Sequence, residues 1–184
     1  MRCGVLGPLE VLADDGTPIE VPGAKERLLL AVLAADCPRV VSVDRLVDEL
    51  WSGNPPRTAV KSLQAHVVRL RSTLEPDRPA GSPGRYVVRR QTGYALALED
   101  GQLDARHFDE LSARGRALLS SGDPGRALES LTSALALWRG PPYADWSDAD
   151  FARAERSRLE GIRANATAWS VSYTHLTLPT ILLV

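Results

Sequence analysis

The side chains with the clearest chemical potential lie in residues 56–75, PRTAVKSLQAHVVRLRSTLE. At about 100° per residue around Leu63, the residues Ala59, Val60, Val67, Leu70 and Leu74 gather within about 60° and form an apolar face. The opposite side carries Arg57, Thr58, Lys61, Ala65, Val68, Arg69 and Ser72, with Ser62 and Gln64 on the flanks. This mixture suits the major groove of DNA. Arg and Lys reach phosphates and guanine, Gln pairs with adenine, and small apolar groups meet thymine methyls. A solvated helix face would more often hold Glu–Lys pairs, yet this stretch has no Glu before Glu75. Further on, Arg89 and Arg90 precede Thr92-Gly93 in a stretch that reads as a hairpin. Strand neighbours point to opposite faces, so one of the two arginines is expected to face outward, onto a minor groove or a phosphate backbone.

Other chemistries find no support. There is no Walker loop, dinucleotide fingerprint, HExxH or nucleophile elbow. His66, His107 and His175 lie in three separate segments, and Cys3 and Cys37 make neither a disulfide framework nor a zinc site. No enzyme, cofactor or metal is expected. The net charge of −1 is unremarkable, but it is segregated. Residues 57–90 carry Arg57, Lys61, Arg69, Arg71, Arg78, Arg85, Arg89 and Arg90 against only Glu75 and Asp77, a balance of +6. Such segregation is the footprint of a face that meets a polyanion. No run of 18 apolar residues predicts a membrane helix, and the N-terminus lacks the pattern of a secretory signal, so a cytoplasmic protein is expected.

The elements that must position these residues follow from pattern. Residues 2–12 read as a strand region kinked at Gly7-Pro8, with a turn at Asp14-Asp15-Gly16 and a short returning strand over 18–21. A helix begins near Lys25, with Leu28, Leu29, Val32 and Leu33 on one face, and ends at Cys37-Pro38. After a brief strand at Val40-Val41, Ser42 is a good N-cap for a helix over 43–51, with Asp44 in the favourable first turn. Val43, Leu46, Val47, Leu50 and Trp51 form its apolar stripe, and Trp51 is expected to be buried against the next helix. That next helix spans 56–75, entered through Pro56 and stopped by Pro76. A connector over 77–85 leads to the hairpin over 86–98, with Thr92-Gly93 as its turn. Helix–turn–helix followed by a β-ribbon outlines a winged helix.

From Asp104 the texture becomes helical, rich in Ala, Leu and Arg. Helices are expected over 105–120, 125–138 and 148–169. Leu111, Gly115 and Leu118, then Ala127, Leu131 and Ala134, stand at the spacings of a tetratricopeptide-like hairpin whose small residues permit close approach. The final stretch, SVSYTHLTLPTILLV (170–184), contains no Asp, Glu, Lys or Arg. It is read as a non-native tail, resembling translated adaptor sequence, and is set apart from the functional reading.

The run VVSVDRLVDELW, then PPRTAVKSLQAHVVRLRSTLEP, then TGYALAL, closely resembles the OmpR-type winged helix of the Streptomyces antibiotic regulatory protein family. LDARHFDELSARGRALLSSGDPGRALESLTSALALWRGPPYAD resembles the start of that family's bacterial transcriptional activation domain. The resemblance implies a mostly α fold with small β-sheets. An OmpR-type winged helix-turn-helix at 1–99 is followed by an incomplete tetratricopeptide-like domain at 100–169. It implies an activator, often of secondary-metabolite genes, that binds direct repeats in double-stranded DNA near promoters. Self-association on DNA and contact with RNA polymerase holoenzyme are part of that expectation. No receiver domain precedes the winged helix, so a phosphorylation switch is not implied. The family's recognition-helix positions fall on Thr58, Lys61, Ser62, Gln64, Ala65, Arg69 and Arg71, joined by Arg57, and its wing on Arg89 and Arg90. The rival reading is a helical-repeat interaction adaptor whose winged helix binds protein. The basic, Glu-poor face of 56–75 weighs against it.

Overall fold

Gly7 and Pro8 interrupt the first apolar run, and the chain reverses there. The computed structural model describes residues 1–79 and 81–177, and it forms a hairpin from β1 (Arg2–Gly4) and β2 (Glu10–Leu12) with Cys3 opposite Val11. The single kinked strand expected over 2–12 is therefore two antiparallel strands. The returning strand expected over 18–21 shrinks to a bridge between Leu12 and Pro18 and one bond from the Ile19 amide to the Val11 carbonyl. Pro18 has no N–H to extend a ladder.

Helix α1 (Ala24–Ala35) passes through the middle of the molecule. Every residue from Leu29 to Leu33 is fully buried, so the one-sided apolar face expected there is replaced by burial all round. Its neighbours explain this, because α1 packs on elements from both parts of the chain. β3 (Val41–Ser42) leads directly into α2 (Val43–Trp51), and the Ser42 side chain caps α2 by accepting the Arg45 amide at 3.2 Å. α2 ends at Ser52 and Gly53, both with positive φ. α3 (Ala59–Leu74) begins later than expected, because residues 56–58 form a turn in which the Ala59 amide donates to the Pro56 carbonyl. β4 (Val87–Arg89) and β5 (Gly93–Leu96) then join β3 in an antiparallel sheet of order β3-β5-β4. This is a winged helix-turn-helix.

The second part is α-helical: α4 (Asp104–Ser120), α5 (Pro124–Ala136), a 3-10 turn (Ala144–Trp146) and α6 (Asp150–Thr177). α4 and α5 pack closely where Gly115 meets Leu131. A Cβ on Gly115 would stand 2.7 Å from the Leu131 side chain. Gly115, Ala127, Leu131 and Ala134 are buried as their spacing suggested, while Leu111 and Leu118 are half-buried. α6 runs past Trp169, where its end was expected, to Thr177. The rest of the apolar tail, 178–184, lies outside the described residues. Among the described residues, no helix is long and apolar enough to cross a membrane.

The two parts share one core. Met1, Val5, Leu6 and Leu9 cluster with Phe108, Tyr143, Phe151 and Leu159. The Asp104 carboxylate, at the N-terminal end of α4, accepts the Val5 amide at 2.8 Å and the Leu6 amide at 3.0 Å. Arg139 pairs with Asp104 at 3.1 Å and donates to the Pro8 carbonyl at 3.1 Å. Asp145 accepts the Leu9 amide at 2.9 Å and pairs with Arg27 of α1 at 2.7 Å. Burial raises the Asp104 carboxyl above its usual range, against the pull of the two amides and Arg139. Replacing Asp104 with Ala orphans two sheltered amides and takes one of the partners of Arg139, which keeps the Pro8 carbonyl and Glu10. We expect Asp104→Ala to lower unfolding stability by about 3 kcal/mol, read by urea titration, since a charge-assisted bond contributes roughly 1.5–3 kcal/mol and unpaired donors add to the loss. A change below about 0.5 kcal/mol would show that the junction is held by apolar packing alone.

Candidate nucleic-acid interface

α3 turns one face to the core and the other to solvent. Ala59, Leu63, Val67, Leu70 and Leu74 are buried. Lys61, Gln64, Ala65 and Arg69 are exposed and Ser62 is half-buried, so the outer face expected from periodicity is present. Arg57 and Thr58 are also exposed, but they sit in the turn before the helix. Val60, expected in the core, is 50% exposed. It stands at the margin of the apolar arc, and burial in the first turn falls on Ala59 and Leu63 instead. Arg71 is half-buried, and its Nε donates to the Val87 carbonyl at 2.8 Å, which ties α3 to β4.

The wing follows from a tight turn. Arg90 and Gly93 exchange backbone bonds of 2.9 and 3.3 Å, so the two central residues are Gln91 and Thr92. The sequence pattern puts the turn at Thr92-Gly93, but Gly93 serves a different need. It pairs with Ser42 on β3, and a Cβ there would lie 1.8 Å from the Val41 carbonyl oxygen. Glycine is required because two backbones approach closely at that point. Arg89 and Arg90 are both exposed, rather than one of the two, because the first ends β4 and the second opens the turn. The Arg89 guanidinium lies 4.9 Å from the centre of the Tyr94 ring and donates to its hydroxyl at 3.0 Å. Residue types read at 57–71 and at 89–90 therefore converge on α3, its entry turn and the β4–β5 wing of one winged helix.

A buried acid supports this surface. Glu26 of α1 is 7% exposed, and its Oε1 lies 2.9 Å from His66 Nδ1 and 3.4 Å from a terminal nitrogen of Arg69. The bare Cα of Gly23 leaves room for the carboxylate, since a Cβ there would meet Glu26 Oε2 at 1.8 Å. Trp51 packs on α3 as expected, with its ring 6.1 Å from that of His66, but it is half-buried rather than enclosed. Lys25 covers it, with Nζ 5.3 Å from the ring centre, and also donates to the Leu50 carbonyl. Glu26 was not singled out in the sequence. A signal for it existed: it precedes Leu29, Leu30 and Leu33 by three, four and seven positions, a carboxylate written into a buried stripe.

Two family models match the chain. Residues 16–96 match the transcriptional regulatory protein C-terminal family, and residues 103–177 match the bacterial transcriptional activator domain. The chain is 38% identical to the transcriptional regulator RedD of Streptomyces coelicolor over 171 residues, which is 90% of this chain and 47% of RedD. It is 31% identical to the regulatory protein DnrI of Streptomyces peucetius over 172 residues, covering 89% of this chain and 63% of DnrI. Among solved structures, Mycobacterium tuberculosis EmbR in complex with a low-affinity phosphopeptide superposes with a TM-score of 0.85 at 30% identity, over 95% of this chain and 45% of that one. The chain thus spans about half to two thirds of the length of these relatives.

The Glu26 cluster gives a pH test. Burial pushes the Glu26 carboxyl up, but bonds from His66 and a backbone amide, the charge of His66 and a bond from Arg69 outweigh it and hold the group below its usual value. A depressed carboxylate adds stability that is full above its unfolded pKa of about 4.3 and is lost as pH falls through the lower folded value. Glu26→Gln removes that contribution. Thermal melts should show the variant less stable near neutral pH, with the gap closing between about pH 5 and pH 3. A gap that stays constant over this range would mean that the ionised form is not what stabilises the cluster.

Proposed function

Because the chain belongs to the Streptomyces antibiotic regulatory protein family, we propose that it binds duplex DNA sequence-specifically and activates transcription. The supporting observation is the surface of α3. It exposes Lys61, Gln64, Ala65 and Arg69 beside a wing that exposes Arg89 and Arg90, within a segment of charge +6. In this reading α3 lies in the major groove. Lys61, Ser62, Gln64, Ala65 and Arg69 face base edges, and Arg57, Thr58, Arg71, Arg89 and Arg90 fix the helix on phosphates. Arg71 does so with its Nε already engaged at Val87, which orients the guanidinium. The targets are direct repeats near promoters of secondary-metabolite genes, occupied by more than one copy of the chain. The helical part is the candidate surface for RNA polymerase holoenzyme. The protein acts in the cytoplasm, and no step is catalytic. Among the described residues no group of three or more His, Cys, Asp or Glu is placed to hold a metal ion.

Titration of the 184-residue chain with promoter duplexes at several salt concentrations tests the reading. About five phosphate contacts per copy give a log–log slope of roughly −4 to −5. A flat response, or no binding, would remove the DNA reading. The division of labour is tested separately. Lys61→Ala and Gln64→Ala are expected to change which sequences are preferred. The double variant Arg89→Ala/Arg90→Ala is expected to weaken all duplexes by a similar factor and make the salt slope shallower by about one to two. The opposite pattern would exchange the roles of helix and wing.

A further inference from the structure

Val60 and Val68 are 50% and 54% exposed, two of the four large apolar side chains that stand well out in solvent among the described residues. The other two lie elsewhere, Val40 in the loop before β3 and Val171 on α6. Scattered exposed apolar residues are ordinary. These two are not scattered. With Gln64 between them they stand at i, i+4 and i+8 on the outer face of α3, and Lys61 and Ala65 are beside them. Folding gives no reason for valine at either position, since valine is a poorer helix former than the alanine, lysine or glutamate that an exposed position otherwise favours. Recognition does give a reason. Valine in a helix is held almost entirely in one rotamer, so it offers a rigid apolar surface and loses little freedom on contact. In the major groove the apolar feature of a base edge is the C5-methyl of thymine.

We propose that Val60 and Val68 are specificity-determining residues that read thymine methyl groups, with Gln64 between them facing base edges. This rests on the DNA-binding reading above. Eight residues at 1.5 Å each separate the two valines by about 12 Å. At ~3.4 Å per base pair the two thymines stand about three to four base pairs apart.

The test uses the duplex most enriched from a random pool by the 184-residue chain, and the same duplex synthesised with deoxyuridine for thymidine, which removes only the methyl groups. Burying two methyl-sized contacts corresponds to roughly tenfold in affinity. The natural chain should bind the deoxyuridine duplex about tenfold more weakly. Val60→Ala/Val68→Ala should bind the thymidine duplex about tenfold more weakly than the natural chain does, and should hardly distinguish the two duplexes. Both substitutions lie at exposed helix positions that alanine favours, and a circular dichroism melt checks that the fold is kept. Equal binding of both duplexes by the natural chain overturns the proposal, as does an undiminished preference in the double variant. Enrichment of no duplex overturns the DNA-binding reading and this inference with it, a result distinct from binding without methyl preference.

Discussion

The Asp104 carboxylate receives the amides of Val5 and Leu6 at 2.8 and 3.0 Å, and much of the architecture depends on that clasp. Those amides belong to the loop that turns β1 into β2, so the carboxylate both shapes the N-terminal hairpin and fastens it to the first turn of α4. Arg139 then has a partner at 3.1 Å and reaches across to the Pro8 carbonyl. Once the hairpin is fixed, Val5 and Leu6 join Tyr143 and Phe108 in the shared cluster, and α1 is enclosed by elements from both parts of the chain. A largely sheltered carboxylate is costly unless its charge is answered, and here two amides and a guanidinium answer part of that cost.

The recognition surface inherits its rigidity from that enclosure. α1 is fixed by burial from Leu29 to Leu33, and it presents Glu26 to α3 from below. His66 and Arg69 close on that carboxylate, Trp51 closes on His66, and Lys25 closes on Trp51 while binding the last turn of α2. On the other flank Arg71 ties α3 to β4, and the close backbone contact at Gly93 seats the wing against β3. α3 is therefore held from both flanks, while Lys61, Gln64 and Ala65 on its outer face take no part in those ties.

Much of this was legible in the sequence where the signal is local. α2 is announced by Ser42 and by an apolar stripe of helical period, and both sides of α3 follow from the angles around Leu63. The winged-helix order and the helical hairpin at Gly115 and Leu131 followed likewise. What escaped depends on distant partners. Asp104 reads as an ordinary first-turn acid until the amides of Val5 and Leu6, nearly a hundred positions earlier, are brought to it. Glu26 looks like a surface residue until His66 arrives from α3. Gly93 passes for a turn glycine because the strand that crowds it, β3, is some fifty residues away. Val60 sits on the boundary of its arc, where a helical wheel assigns a side and only packing decides.

The shared core also governs how such proteins can be recombined. The first dozen residues are encoded with the winged helix, yet their hairpin is matched to the helical part, its amides to Asp104 and Asp145 and its Pro8 carbonyl to Arg139. A chimaera spliced near residue 99 keeps each sequence half intact but places a strand from one parent against a clasp from another. A graft that moves residues 13–99 alone leaves the hairpin with its own helices and transplants α1, α3 and the wing together. Its foreign seams include the packing of α1 against α6, the Arg27–Asp145 pair, the bonds from the Met1 amino group to Asp14 and Tyr86, and the bond from the Ile19 amide to the Val11 carbonyl.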